Sequence, residues 1–168
     1  SPNSGTAAMA MNVQSGGKLE LTGPNGFYVM GGATTWGTTN NRYSFLAGST
    51  VEYSAPVNQY VLQQSDFLAT TLNNQYWNLI ISGANNKIIR AGILTIRGNL
   101  NIVNTAGLPV LDQTVNPNTP IVISGNWTNY NQIGFNQSAL TTSYVKFIGV
   151  GTSPTTPVQT ISCTGGEV

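Results

Sequence analysis

The chain has 168 residues, a net charge of +1 and 40% hydrophobic residues, but only 7% charged ones, where a globular domain averages about 25%. Its six Lys and Arg are scattered rather than clustered as a phosphate-binding surface requires, and no apolar run approaches the roughly 18 residues of a membrane span. The absence of His and the single cysteine, Cys163, exclude an internal disulfide and a His-activated thiol, and argue against zinc.

The first 17 residues, "SPNSGTAAMAMNVQSGG", are small and polar. They lack the plan of a signal peptide and read as a flexible or capping segment, as expected of a mature secreted protein. From residue 18 onward turn signals come densely: "GPNG" at 23–26, "TTNN" at 38–41, "GANN" at 83–86, "NPNTP" at 116–120 and "GTSPTTP" at 151–157. Between them lie short runs rich in β-branched and aromatic residues. In chain order the predicted strands are Lys18–Leu21, Phe27–Met30, Tyr43–Leu46, Thr50–Tyr53, Tyr60–Leu62, Trp77–Ser82, Lys87–Arg90, Ile93–Val103, Pro120–Trp127, Tyr144–Ile148 and Val158–Ile161. Residues 64–75 offer one helical turn or a loop. The expectation is an all-β protein.

The clearest strand is "ILTIRGNLNIV" at 93–103. Leu94, Ile96, Leu100 and Ile102 share one parity and Thr95, Arg97, Asn99 and Asn101 the other, the pattern of one dry and one wet face. Gly98 interrupts it, and "IVISGNWTN" at 121–129 repeats the interruption at Gly125. Ile81-Ser-Gly83, Ile96-Arg-Gly98 and Ile123-Ser-Gly125 share one pattern. A second echo links "STVEYSAPVNQYV" (49–61) to "SYVKFIGVGTSPTTPVQTI" (143–161). Repeated strand chemistry at unequal spacing predicts a right-handed parallel β-helix or similar β-solenoid over residues 18–168. In it Leu94, Ile96, Leu100, Ile102, Ile121 and Ile123 point inward, the glycines sit at corners, and Asn99 and Asn126 adopt left-handed geometry or form amide ladders. The alternative is an antiparallel β-sandwich with the glycines at bulges.

"YWNLIISG" (76–83), "ILTIRGNLNI" (93–102), "ISGNWTN" (123–129) and "GSTVEYSAPVNQYV" (48–61) together resemble the repeat regions of giant secreted surface proteins of Bacteroidetes. The resemblance spans roughly residues 17–161 and diagnoses a repeat style. It implies a β-solenoid stalk or adhesin, exported by the type IX secretion system and displayed on the cell surface; some family members serve gliding motility. The partners so implied are neighbouring repeats of the same chain, the secretion or anchoring machinery, and surface glycans. The long turn "GTSPTTP" departs from the family pattern. The ending "CTGGEV" falls where another repeat strand would begin, so the expectation is a segment of a longer chain.

Catalysis on sugars needs two carboxylates at one site. The five acids, Glu20, Glu52, Asp66, Asp112 and Glu167, are dispersed, and the expectation is a protein that is not an enzyme, with a carbohydrate-active β-helix or glycan-binding module as the alternative. "LDQTVNPN" at 111–118 provides one carboxylate and three amides, fewer charges than a calcium loop uses, and reads as an Asx turn. No residues suggest a cofactor. Trp36, among polar neighbours, and Tyr130 are the candidates for stacking on a glycan. Trp77 and Trp127 fall at strand-repeat positions and read as core or cap.

Overall fold

Among the described residues consecutive strands do not pair with each other; each pairs, in parallel, with a strand one passage of the chain away. The computed structural model describes residues 11–24, 26–27, 43–63, 75–103, 105–116, 118–131, 134–137, 139–140, 142–149 and 159–163. Within these the strands are β1 (Met11–Val13), β2 (Lys18–Leu21), β3 (Tyr43–Phe45), β4 (Thr50–Tyr53), β5 (Gln59–Val61), β6 (Asn78–Ile81), β7 (Ala84–Ile89), β8 (Leu94–Ile96), β9 (Leu100–Ile102), β10 (Gly107–Asp112), β11 (Ile121–Ile123), β12 (Trp127–Asn129), β13 (Phe135–Asn136), β14 (Val145–Phe147) and β15 (Ile161–Cys163). The fold is all-β, without an α-helix among the described residues.

The strands form a six-stranded sheet (β15-β12-β9-β6-β4-β2), a four-stranded sheet (β13-β10-β7-β5), a three-stranded sheet (β14-β11-β8) and the pair β1-β3. From β8 onward the chain visits the three-, six- and four-stranded sheets in that order, twice, and starts the cycle again with β14 and β15. One passage earlier, Tyr76 makes a single parallel bridge to Ile96 before the chain enters β6 and then β7. Every pairing among the described residues is parallel, which an antiparallel sandwich does not give.

Alternation decides which side chains go inside. Leu79, Leu100 and Trp127 stack in register, as do Ile81 and Ile102, and Ile96, Ile123 and Phe147. Leu94, Ile96, Leu100, Ile102, Ile121 and Ile123 are all fully buried, as their parity predicts. Each such side chain contributes roughly 1.5–3 kcal/mol relative to exposure. An aromatic group of Phe27, Tyr43, Phe45, Tyr53 and Tyr76 continues this core toward the first strands.

Two predicted strands are broken by their glycines. Ile93–Val103 divides into β8 and β9, and Pro120–Trp127 into β11 and β12, each half in a different sheet. Neither Gly98 nor Gly125 has a positive φ. Glycine is needed there because the corners stack closely: a Cβ on Gly125 would meet the Gly98 carbonyl, and one on Gly98 would meet the Trp77 carbonyl and the Asn78 amide. Asn99 and Asn126 are likewise not left-handed. They form the ladder instead, with the Asn99 amide N–H donating to Asn78 Oδ1 at 3.0 Å, that of Asn126 to Asn99 Oδ1 at 2.9 Å, and that of Thr160 to Asn126 Oδ1 at 2.9 Å.

Other expectations need correction. Gly83 is not equivalent to Gly98 and Gly125: it follows a strand of the six-stranded sheet, has a φ of 74°, and packs against the backbone of Ser54 and Ala55. Strands β1, β10 and β13 were not expected. In β10, Pro109 and the positive φ of Leu108 (46°) disrupt the local pattern, and β7 supplies the ladder across a register shift. The last strand lies at Ile161–Cys163 rather than at Val158–Ile161. Most of the predicted strand Phe27–Met30 and nearly all of the 64–75 segment lie outside the described residues.

Candidate functional site

The outward faces of the sheets carry the groups available for chemistry. On the six-stranded sheet, Glu20 and Glu52 are register partners on neighbouring strands, so two of the dispersed acids do meet. Glu52 forms an ion pair with Lys18 and accepts a hydrogen bond from Ser82 Oγ; Glu20 accepts one from Ser54 Oγ at 2.8 Å. The hydrogen bond and charge of Glu52 raise the Lys18 pKa. Both carboxylates lie on the outward side of the sheet; Glu52 is half-buried, covered by Lys18 and the buried Ser82. Asp66 and Glu167 lie outside the described residues.

Asp112, at the end of β10, is buried. Its Oδ1 accepts from the Thr114 amide N–H and hydroxyl at 2.8 and 2.7 Å, and its Oδ2 from Asn86 Nδ2 at 2.6 Å. That is an Asx turn, the expected reading of 111–118. Among the described residues no group of three His, Cys, Asp or Glu gathers as a metal site would require.

Lys87 was not singled out by sequence reasoning, yet it is the most unusual ionisable group. It points into the interior of β7, fully buried, in register between Gln59 and Leu111. Its ammonium donates to the carbonyls of Ala55 (2.7 Å), Val57 (3.0 Å) and Ala84 (2.7 Å). Burial lowers its pKa to about 8. The available signal was parity: Lys87 shares a side of its strand with Ile89.

Trp36 lies outside the described residues. Tyr130 follows β12 and is 44% exposed. Trp127 is interior, edge-to-face with Phe135 at 5.1 Å. Trp77 is half-buried at a corner with the Arg97 guanidinium 5.7 Å from its ring centroid.

The outer face of the three-stranded sheet is different in character. Register places Thr95, Val122 and Lys146 in one outward row. By continuation of the same strands Ile93, Pro120 and Tyr144 form a second row, and Arg97 and Ile148 flank the buried Ser124 in a third. Ile93 (40%), Tyr144 (45%) and Ile148 (50%) are exposed large apolar side chains. None of the described carboxylates is on this face, since Glu20 and Glu52 belong to the six-stranded sheet and Asp112 to the four-stranded one. Beyond it, where β13, β14 and β15 form the last strands of their sheets, an open cavity of about 410 Å³ is lined by Trp127, Phe135, Val145, Phe147, Ile161 and Cys163.

Comparison with protein-family models, with curated proteins and with solved structures gives no match.

Proposed function

We propose that this chain is a non-catalytic β-solenoid segment, a right-handed parallel β-helix, serving as stalk or adhesin in a large secreted bacterial cell-surface protein. The observation that carries this reading is the cyclic visiting of three parallel sheets with stacked corners, Trp77–Gly98–Gly125 in backbone and Asn78–Asn99–Asn126 in side chain. Repetition of one such unit extends a surface along an axis without needing a separate core. Right-handedness follows from the strong preference of parallel crossovers. The repeat style of the resembling Bacteroidetes proteins supports outer-surface display, type IX export and a role in adhesion or gliding. The partners on this reading are neighbouring repeats, the export or anchoring machinery, and surface glycans.

The absence of catalysis in this reading rests on how the acids are used. Glu20 and Glu52 are register partners on neighbouring strands, but Glu52 is ion-paired, Glu20 is hydrogen-bonded, and both face outward from a sheet rather than into a shared cleft. The test is to incubate the purified chain with a panel of neutral and acidic polysaccharides and to follow both reducing ends and unsaturated uronates. No turnover is expected. Turnover abolished by Glu20→Gln or Glu52→Gln would replace this reading with the carbohydrate-active one.

A further inference from the structure

We infer that the outer face of the three-stranded sheet is a binding surface for an acidic polysaccharide. The inference deepens the adhesive reading and rests on it, because it names the face and the ligand class through which such a segment would adhere. Three observations converge. The face carries two cations, Lys146 at an outward position of β14 and Arg97 directly after β8, with no described carboxylate among them. Two of the other cations are differently placed: Lys18 is paired with Glu52, and Lys87 is buried on backbone carbonyls. A face whose described charges are both positive favours an anionic partner.

The second observation is that aromatic and apolar groups are interleaved with those cations. Tyr144, immediately before β14 and two residues from Lys146, is 45% exposed, and Trp77 lies against Arg97. A pyranose presents a C–H face to an aromatic ring and hydroxyl or carboxylate groups at its edge. An exposed tyrosine two residues from a lysine therefore offers both contacts to one sugar. The third observation is shape. The rows Ile93–Pro120–Tyr144 and Thr95–Val122–Lys146 run across strands spaced about 4.8 Å apart, so their side chains stand side by side on one sheet face. A polymer lies along such a surface and gains from repeated weak contacts. Two cations are too few for a duplex nucleic acid, whose charge density recruits a larger basic patch.

The experiment measures binding of the full chain to polygalacturonate, with dextran as the neutral control, by affinity electrophoresis and titration calorimetry at low and moderate salt. Binding to polygalacturonate but not to dextran is expected, weakening as salt rises. Lys146→Gln and Arg97→Gln are each expected to weaken binding about threefold, the scale of one exposed ion pair, and Tyr144→Ala about fivefold through lost stacking. Asn12→Glu changes net charge by the same amount as Lys146→Gln but lies on β1, and is expected to leave affinity unchanged. Lys146 is solvent-exposed, so its variant keeps the fold even if Tyr144→Ala does not. Equal binding of dextran, no binding at low salt, or equal losses in Asn12→Glu and Lys146→Gln would overturn the assignment. Self-association lost in Lys146→Gln, without polygalacturonate binding, would give the face to a second copy and also overturn it. Cleavage of polygalacturonate would instead defeat the non-catalytic reading on which the inference stands, so the two failures are distinguishable.

Discussion

Gln59 and Gln159 make the same bracket at two different corners. Gln59 Oε1 accepts from the Ala55 amide N–H at 3.1 Å, while its Nε2 donates to the carbonyls of Leu21 and Gly23, both at 2.9 Å. Gln159 Oε1 accepts from the Gly149 amide N–H at 2.8 Å, while its Nε2 donates to the carbonyls of Ile123 (3.1 Å) and Gly125 (2.6 Å). In each case the glutamine follows a Ser-x-Val-charge-aromatic strand and ties its turn to the passage beneath. The echo between 49–61 and 143–161 is thus one local device used twice, although β4 belongs to the six-stranded sheet and β14 to the three-stranded one.

The two brackets differ in burial, and that difference predicts their energetics. Gln59 is fully buried and Gln159 half-buried. Removing the buried amide strands two carbonyls and one N–H without water, so Gln59→Ala is expected to cost about 3 kcal/mol. Water replaces the partners of Gln159, and Gln159→Ala is expected to cost about 1 kcal/mol. Urea unfolding followed by circular dichroism measures both.

Stacked corners make Gly125→Ala destabilising by about 1–3 kcal/mol, the range for forced overpacking, since the new methyl meets the Gly98 backbone. Gly23→Ala is the matched control: a Cβ there meets nothing within 4 Å, and no measurable loss is expected. Equal midpoints for the two variants would contradict the close corner packing.

Lys87 makes stability depend on alkaline pH. Its pKa is lowered from 10.5 to about 8 in the folded chain by burial. Between those values the unfolded state holds more protons, so stability rises with pH; below about 8 the burial penalty is fully present. Relative to Lys87→Met, whose baseline absorbs the tyrosine and cysteine titrations, the native chain should gain at most about 3 kcal/mol from pH 8 to 10.5. Asp112, on the adjoining strand β10, is bonded to Asn86 and Thr114 rather than to Lys87. Parallel pH profiles of the two chains would show that the ammonium is not desolvated.

Residues 1–168 expressed alone are expected to self-associate through the last strands. Ile161 is 59% exposed on β15, and the apolar cavity beside it is open; an apolar edge of this kind recruits a further strand. Ile161→Lys should shift the sedimentation profile toward monomer at micromolar concentration. A monodisperse native chain would contradict this expectation.

Much of the molecule follows from local rules. Alternation put Leu94, Ile96, Leu100, Ile102, Ile121 and Ile123 inside, and turn chemistry with β-branched runs made the chain all-β, because side-chain parity and turn geometry are properties of a few consecutive residues. Pairing is not. That β8 and β9 lie in different sheets, that Ile81-Ser-Gly83 differs from its two look-alikes, and that Glu20 meets Glu52 depend on which passages stack and in what register. Strand β10, with Pro109 and a left-handed Leu108, exists because β7 offers it a ladder. Lys87 is buried because the turn of the preceding passage presents carbonyls to its ammonium. These are contacts between residues distant in sequence. Only the stacking of whole passages, driven by burial of a continuous apolar interior and by saturation of backbone hydrogen bonds, decides them.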